Sequence, residues 1–201
     1  MSGTSEMPLF PLGTVLFPGG PLPLRIFEAR YLDMVSDCLR NDRVFGVCLI
    51  KDGVEVGKPA EPYSIGTTAR ITDWDRTDDG LLAITAFGES RFSVLSTRIQ
   101  PDGLLVGECE PLPHGDVALP EEHTPLAKLV IDLLERAPQL YSTIDRHPAD
   151  AHWVSCRLAE LMPLPMSVKQ QFLEIDDPVE RLEQMVGILR QLQNQANDSE
   201  A

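Results

Sequence analysis

Residues Met7 to Tyr31 read MPLFPLGTVLFPGGPLPLRIFEARY. Two short apolar runs, Leu9-Phe10 and Val15-Leu16-Phe17, reach a Pro18-Gly19-Gly20 break. A second extended run, Leu22 to Phe27, then leads into a helical pattern that starts near Glu28. Prolines at 8, 11, 18, 21 and 23 cannot donate to a sheet ladder, so strands here are expected to be short, edge-like or bulged. The glycine pair supplies the positive-φ positions of a tight reversal. Together these features make the stretch the folding corner of a small β domain.

Moving outward, Glu28 to Arg40 reads as a helix, with Tyr31, Val35, Cys38 and Leu39 on one side. Phe45 to Ile50 (FGVCLI) suits a buried strand, and Lys51-Asp52-Gly53 is a turn signal, with Val54 and Val56 as a hairpin arm. From Ile65 the pattern alternates to Trp74, breaks over Asp75 to Gly80 and resumes from Leu81 to Phe87. Gly88-Glu89-Ser90 and Pro101-Asp102-Gly103 read as further reversals, which predicts a meander curled into a sheet or half-open barrel. Residues 1–6 read as a disordered lead.

The segment Glu110 to Glu122 carries three prolines and reads as a linker, beyond which the apolar period changes from two to 3.6. Thr124-Pro125 signals a helix start, followed by Leu126, Leu129, Val130, Leu133 and Leu134. Ala149 to Leu161 is a second helix, and Ser167 with Gln170 is a capping-box pattern for a third. Asp177-Pro178 opens a fourth, with Leu182, Met185, Val186, Leu189 and Leu192 in its stripe and a polar, frayed tail from Asn194. Each helix is apolar on one side only, so those sides are expected to bury on one another or on the sheet.

Composition narrows the function. The 201 residues carry a formal charge of −14, and both parts are acidic: 10 basic against 16 acidic side chains in 1–110, 7 against 15 beyond. Nucleic-acid phosphates and anionic membrane surfaces both select for clustered Lys and Arg, so neither is an expected partner. No apolar run is long enough to span a bilayer and no secretory signal opens the chain, which reads as cytoplasmic. Cys38, Cys48, Cys109 and Cys156 are widely spaced and read as reduced, buried small hydrophobes.

Catalytic patterns are missing. Gly57-Lys58 lacks both the first glycine and the hydroxyl of a phosphate-binding loop, and neither G-x-G-x-x-G nor G-x-S-x-G occurs. His114, His123, His147 and His152 have no metal-ligand spacing and read as surface or capping groups. The acidic clusters Asp73, Asp75, Asp78, Asp79 and Glu174, Asp176, Asp177 read as solvated turns, with Asp177 a helix cap. Trp74 and Trp153 read as apolar payloads packed under loops, with Trp74 also an interface candidate. No enzyme activity, cofactor or metal is expected.

Three motifs, PLFPLGTVLFPGGPLPLRIFEARY at 8–31, FGVCLI at 45–50 and IGTTARI…DGLLAITAFGESRF at 65–92, resemble in order the N-terminal substrate-binding domain of the Lon protease family in its free-standing bacterial form. KQQFLEIDDPVERLEQM at 169–185 resembles the helical segment that follows it there. The resemblance implies an α+β fold: a PUA-like β pseudo-barrel with one helix over 7–110, then an α-helical bundle over 120–194. It also implies recognition of unfolded or extended polypeptides, beside a protease or chaperone system, without the family's ATPase and peptidase modules. Arg25, Phe27, Glu28, Arg30, Tyr31, Trp74 and Arg91 are the candidate peptide-binding or structural residues. Glu28, Arg30 and Tyr31 match the family's F-E-x-R-Y element and Arg91-Phe92 its R-F hairpin; Tyr31 and Phe92 read as core. PUA-like folds include RNA binders, so an RNA site at Arg25, Arg30, Arg91 and Arg98 is an alternative, and a small hydrolase is a weaker one.

Overall fold

A computed structural model describes residues 3–57 and 60–199. The opening strand β1 (Ser5–Leu12) is not an edge. It pairs antiparallel with β7 (Leu105–Leu112) over Ser5 to Leu9, and parallel with β3 (Phe45–Asp52) over Leu9 to Leu12. The two partners are staggered, so Pro8 faces only β7 and Pro11 only β3. Each proline therefore sits where one side of the strand has no ladder to break, which reconciles them with an inner position. Ser5 and Glu6 lie within β1, so the lead is ordered from there.

The pairings continue from β3 to β5 (Ile65–Arg76), β6 (Leu82–Ile99) and β7, and so return to β1. Two strands lie outside this ring: β2 (Pro21–Ile26), which pairs with β6 alone, and the two-residue β4 (Glu61–Pro62) against β3. With its prolines at 21 and 23, β2 is the edge strand the sequence predicts. Glu61-Pro62, not Val54 and Val56, is the arm after the Gly53 turn; both valines lie exposed in the loop.

Gly88-Glu89-Ser90 is not a reversal, because β6 runs through it without a break. The register with β5 shifts there, between Thr67/Arg91 and Ala69/Gly88, so the triplet is a bulge. Glycine is required at 88 for another reason: a Cβ would collide with the carbonyl oxygen of Phe17. Gly88 and the Pro18-Gly19-Gly20 turn exchange backbone bonds, Gly19 N–H to Gly88 O at 2.7 Å and Gly88 N–H to Gly20 O at 2.9 Å.

Helix α1 (Ala29–Asn41) places Tyr31, Met34, Val35 and Cys38 in a core with Phe10, Phe45, Val47 and Ile84, and Tyr31 stacks on Phe10 at 3.8 Å. Leu39, expected on that side, is 41% exposed. The other helices are α2 (Thr124–Glu135), the single turn α3 (Pro138–Tyr141), α4 (Ala151–Leu161), α5 (Met166–Glu174) and α6 (Pro178–Ser199). Their core takes in Val15, Phe17 and Leu49 from the strand half, so the two halves share one interior. Helix α4 is buried on every side from Ala151 to Ala159 rather than along one stripe, because α2, α5, α6 and the opening turn all close on it. Ser167 falls inside α5, whose preceding residue is Pro165, so it caps nothing. Asp177 does cap α6, accepting from Val179 N–H at 2.8 Å. Leu192 lies outside the residues whose side chains are described.

The four cysteines are buried. Two histidines depart from the surface reading: His123 and His152 are buried, because the linker folds back over the start of α4. His152 stacks on His114 at 3.6 Å, and burial, followed by the charges of His114, Arg181, Arg91 and Arg157, pushes its pKa down to about 3. Folding therefore holds this ring neutral. Its stabilising share is complete above the ordinary value of 6.5 and is lost as pH falls from there toward 3, at about 1.4 kcal/mol per pH unit. Urea midpoints of wild type between pH 7 and pH 4.5 are expected to fall more steeply than those of His152→Asn; parallel curves would remove this assignment.

Candidate functional site: a groove between strand and helix halves

The turn that opens the chain is also where the halves lock. Arg157, in the middle of α4, has no exposure and reaches out of the helical half to donate to Pro18 O at 2.8 Å and Gly19 O at 2.9 Å. Glu160, one turn further on, pairs with it at 2.8 Å and accepts from the Tyr141 hydroxyl at 2.5 Å. Burial first, and then the Glu160 carboxylate, raise the Tyr141 pKa; burial likewise raises that of Glu160, with Arg157 opposing it. Gly19 supplies the positive φ (72°) that the glycine pair predicts. Gly20 serves differently, since a Cβ there would run into the Glu160 carboxylate. A continuous chain of hydrogen bonds and one ion pair thus runs from α3 through Glu160 and Arg157 to the β1–β2 turn.

That chain sets the spacing of two walls. On one side stand Pro21 and Pro23 of β2 with Thr72, Asp73, Thr85 and Phe87 of β5 and β6. On the other stand Leu140, Ile144, Asp145, His147 and Trp153, the last at the first turn of α4. Asp150 fixes that turn, accepting from His152 N–H at 3.0 Å and Trp153 N–H at 3.3 Å. Between the walls is a groove of about 760 Å³ whose lining, among the described residues, includes no lysine or arginine. A smaller hollow of about 340 Å³ shares Pro23, Asp73 and Thr85 and adds Arg25 and Asp75, with Leu24, Trp74 and Ile84 of the same strands at its border. The lining exposes more apolar than polar surface, and its charged groups, Arg25 apart, are acidic. A bound chain gains from burying apolar side chains there, at about 25 cal/mol per Å².

Of the seven candidate residues, Arg25 lines the outer hollow, whereas Trp74 pairs with the buried Ile84 and so stands on the opposite face of the hairpin. Trp74 is 60% exposed rather than packed under a loop, because it lies on the outer arm of the β5–β6 hairpin, beyond the helical half. Phe27 is exposed between β2 and α1. The others hold the fold. Arg30 pairs with Glu28 at 2.9 Å, donates to Gly103 O at 3.0 Å and lies 4.7 Å over the Tyr31 ring. Arg91, 2% exposed, donates to Leu173 O at 2.9 Å, Ile175 O at 3.2 Å and Asp176 at 2.8 Å, tying β6 to the end of α5. Arg181 joins it from α6, donating to Phe172 O at 2.8 Å, Ser155 Oγ at 2.9 Å and Ile175 O. Trp153 and Phe92 are buried.

The four arginines considered for RNA do not form a free basic patch. Arg30 and Arg91 are spent on buried carbonyls, and Arg98 is held by Glu6 through two bonds of 3.0 Å. Sequence reading misses Leu140, Ile144 and Trp153 as groove residues and Arg157 as the link. The available signal was Arg157 itself, a cation three residues before a glutamate in the otherwise apolar run AHWVSCRLAEL.

The ATP-dependent protease La (LON) substrate-binding domain family model matches residues 6–191. The chain is 26% identical over 192 residues to a Lon protease of Anaeromyxobacter dehalogenans, which covers 91% of this chain and 23% of that protein. Protein cereblon of Xenopus tropicalis is 32% identical over 112 residues, 54% of this chain and 24% of cereblon. The chain spans about a quarter of the length of these curated relatives. A Lon N-terminal domain protein from Xanthomonas campestris, solved by crystallography, superposes with a TM-score of 0.75 at 42% identity, over 91% of this chain and 98% of that one. The N-terminal domain of Mycobacterium avium complex Lon protease shares the fold at 18% identity and a TM-score of 0.65, over 91% and 97% of the two chains. No helix among the described residues is long and apolar enough to cross a membrane.

Proposed function

We propose that this chain, which belongs to the ATP-dependent protease La (LON) substrate-binding domain family, is a non-catalytic recognition module that holds extended polypeptide in the groove between its two halves. The fold underneath is a PUA-like pseudo-barrel over 7–110 joined to a helical bundle over 120–194; the ring of strand pairings from β1 back to β1 supports the first part. The observation that carries the function is the lining: a proline-edged trough with more apolar than polar surface, rimmed by Asp73, Asp75 and Asp145. Pro21 and Pro23 offer no N–H groups, so the occupant is gripped by side chains and not by strand addition. The acidic rim favours segments in which apolar residues alternate with Lys or Arg, the composition of a chain whose core is exposed. Cytoplasmic partners of that kind, passed on to a protease or chaperone system, are the substrates this reading assigns.

A permanently unfolded, dye-labelled polypeptide titrated with the protein is expected to bind at tens of micromolar or tighter. Structured RNA at the same ionic strength is the control; tighter binding to RNA, lost on Arg25→Ala, would favour the RNA reading instead.

A further inference from the structure

We propose that Glu122, His123 and Glu183 form a site for a divalent transition-metal ion of the zinc class. Glu122 and His123 lie in a 3-10 turn (Glu121–His123) that leads directly into α2, and Glu183 lies near the start of α6. One ligand atom from each falls within 4.8 Å of the others. The two carboxylates are exposed, whereas the His123 side chain is 9% exposed and its Nε2 atom is buried without a hydrogen-bond partner among the described residues. That nitrogen lies 3.9 Å from Glu122 Oε1, so it faces into the cluster. A buried ring nitrogen without a partner is an unmet demand, and a cation shared with two mobile carboxylates meets it.

The donor set selects the ion. One imidazole nitrogen with two carboxylate oxygens suits Zn²⁺, Co²⁺ or Ni²⁺, whereas Mg²⁺ and Ca²⁺ call for all-oxygen shells. The centre of a triangle with 4.8 Å sides is about 2.8 Å from each corner, against about 2.0 to 2.2 Å for zinc ligands. Exposed glutamates close that gap by a small change of rotamer while the histidine stays fixed. The ion leaves coordination positions open to water and joins the head of α2 to α6, clamping the helical half.

Zn²⁺ added to the full chain at about 100 times its Kd is expected to raise the melting temperature by about 5 to 10 °C, with Mg²⁺ giving no shift. Co²⁺ titration, followed by its visible absorption, is expected to saturate at one ion per chain. Because His123→Gln alters a buried position, Glu183→Gln at the surface is the second variant; each is expected to weaken Co²⁺ binding at least tenfold. Asp33→Asn, an exposed carboxylate on α1, is expected to bind as wild type. No saturable binding below about 100 µM, or saturation unchanged in either variant, overturns the site and leaves an adventitious ion only.

Discussion

Replacing Arg91 by alanine is expected to cost about 3 to 5 kcal/mol of folding stability, the loss typical of breaking a buried charged network. Its guanidinium is nearly inaccessible and satisfies two backbone carbonyls at the end of α5, where the helix leaves oxygens without partners of its own. Truncation strands the Leu173 oxygen, leaves Ile175 O to Arg181 alone and opens a void where β6 meets the helical half. Arg91→Lys is expected to recover only part of the loss, since a single ammonium cannot span Leu173, Ile175 and Asp176 as a planar fork does. Arg98→Ala, which breaks only the exposed pair with Glu6, is expected to leave the urea midpoint close to that of wild type. Urea midpoints of the three variants check this; an Arg91→Ala protein within about 1 kcal/mol of wild type would mean that the halves do not depend on this link.

Pro23→Asp combined with Leu140→Asp is expected to weaken polypeptide binding by about 30-fold or more while leaving the melting temperature near that of wild type. Pro23 and Leu140 stand on facing walls of the trough, and both are exposed, so neither change opens the core. Each aspartate removes apolar surface that a bound chain would cover and adds a desolvation cost. Anisotropy titration of wild type and variant with the same unfolded chain measures the difference. Equal affinities would move the binding face elsewhere on the molecule.

Much of the strand half is legible from residues alone. The proline pattern identifies β2 as an edge, the helical stripe identifies Tyr31, Val35 and Cys38 as core, and Pro101-Asp102-Gly103 marks a true reversal. Gly88 misleads, because a glycine placed to let another backbone approach looks the same as a glycine placed to turn. Pro8 and Pro11 mislead in the same way: a strand with staggered neighbours hides its open positions until its partners are known. The groove itself was not legible. Trp74 stands out by residue type but faces away from it, and Leu140, Ile144 and Trp153 meet Pro23, Asp73 and Thr85 across more than fifty positions of chain. The arginines of the family motif turned out to serve carbonyls, so the groups most visible in the sequence are those that hold the groove's frame.

The two tryptophans make the decisive measurement available without a label, since Trp153 lines the groove and Trp74 stands on the opposite face of the β5–β6 hairpin. In a Trp74→Phe protein, the emission of Trp153 is followed while unfolded polypeptide is added, with anisotropy recording total binding in parallel. Covering the groove wall that Trp153 helps to form predicts a saturable change in its emission with the same midpoint as the anisotropy curve. Saturated binding with unchanged Trp153 emission, or no binding by a folded protein, would contradict the proposal that this trough is where a polypeptide is held.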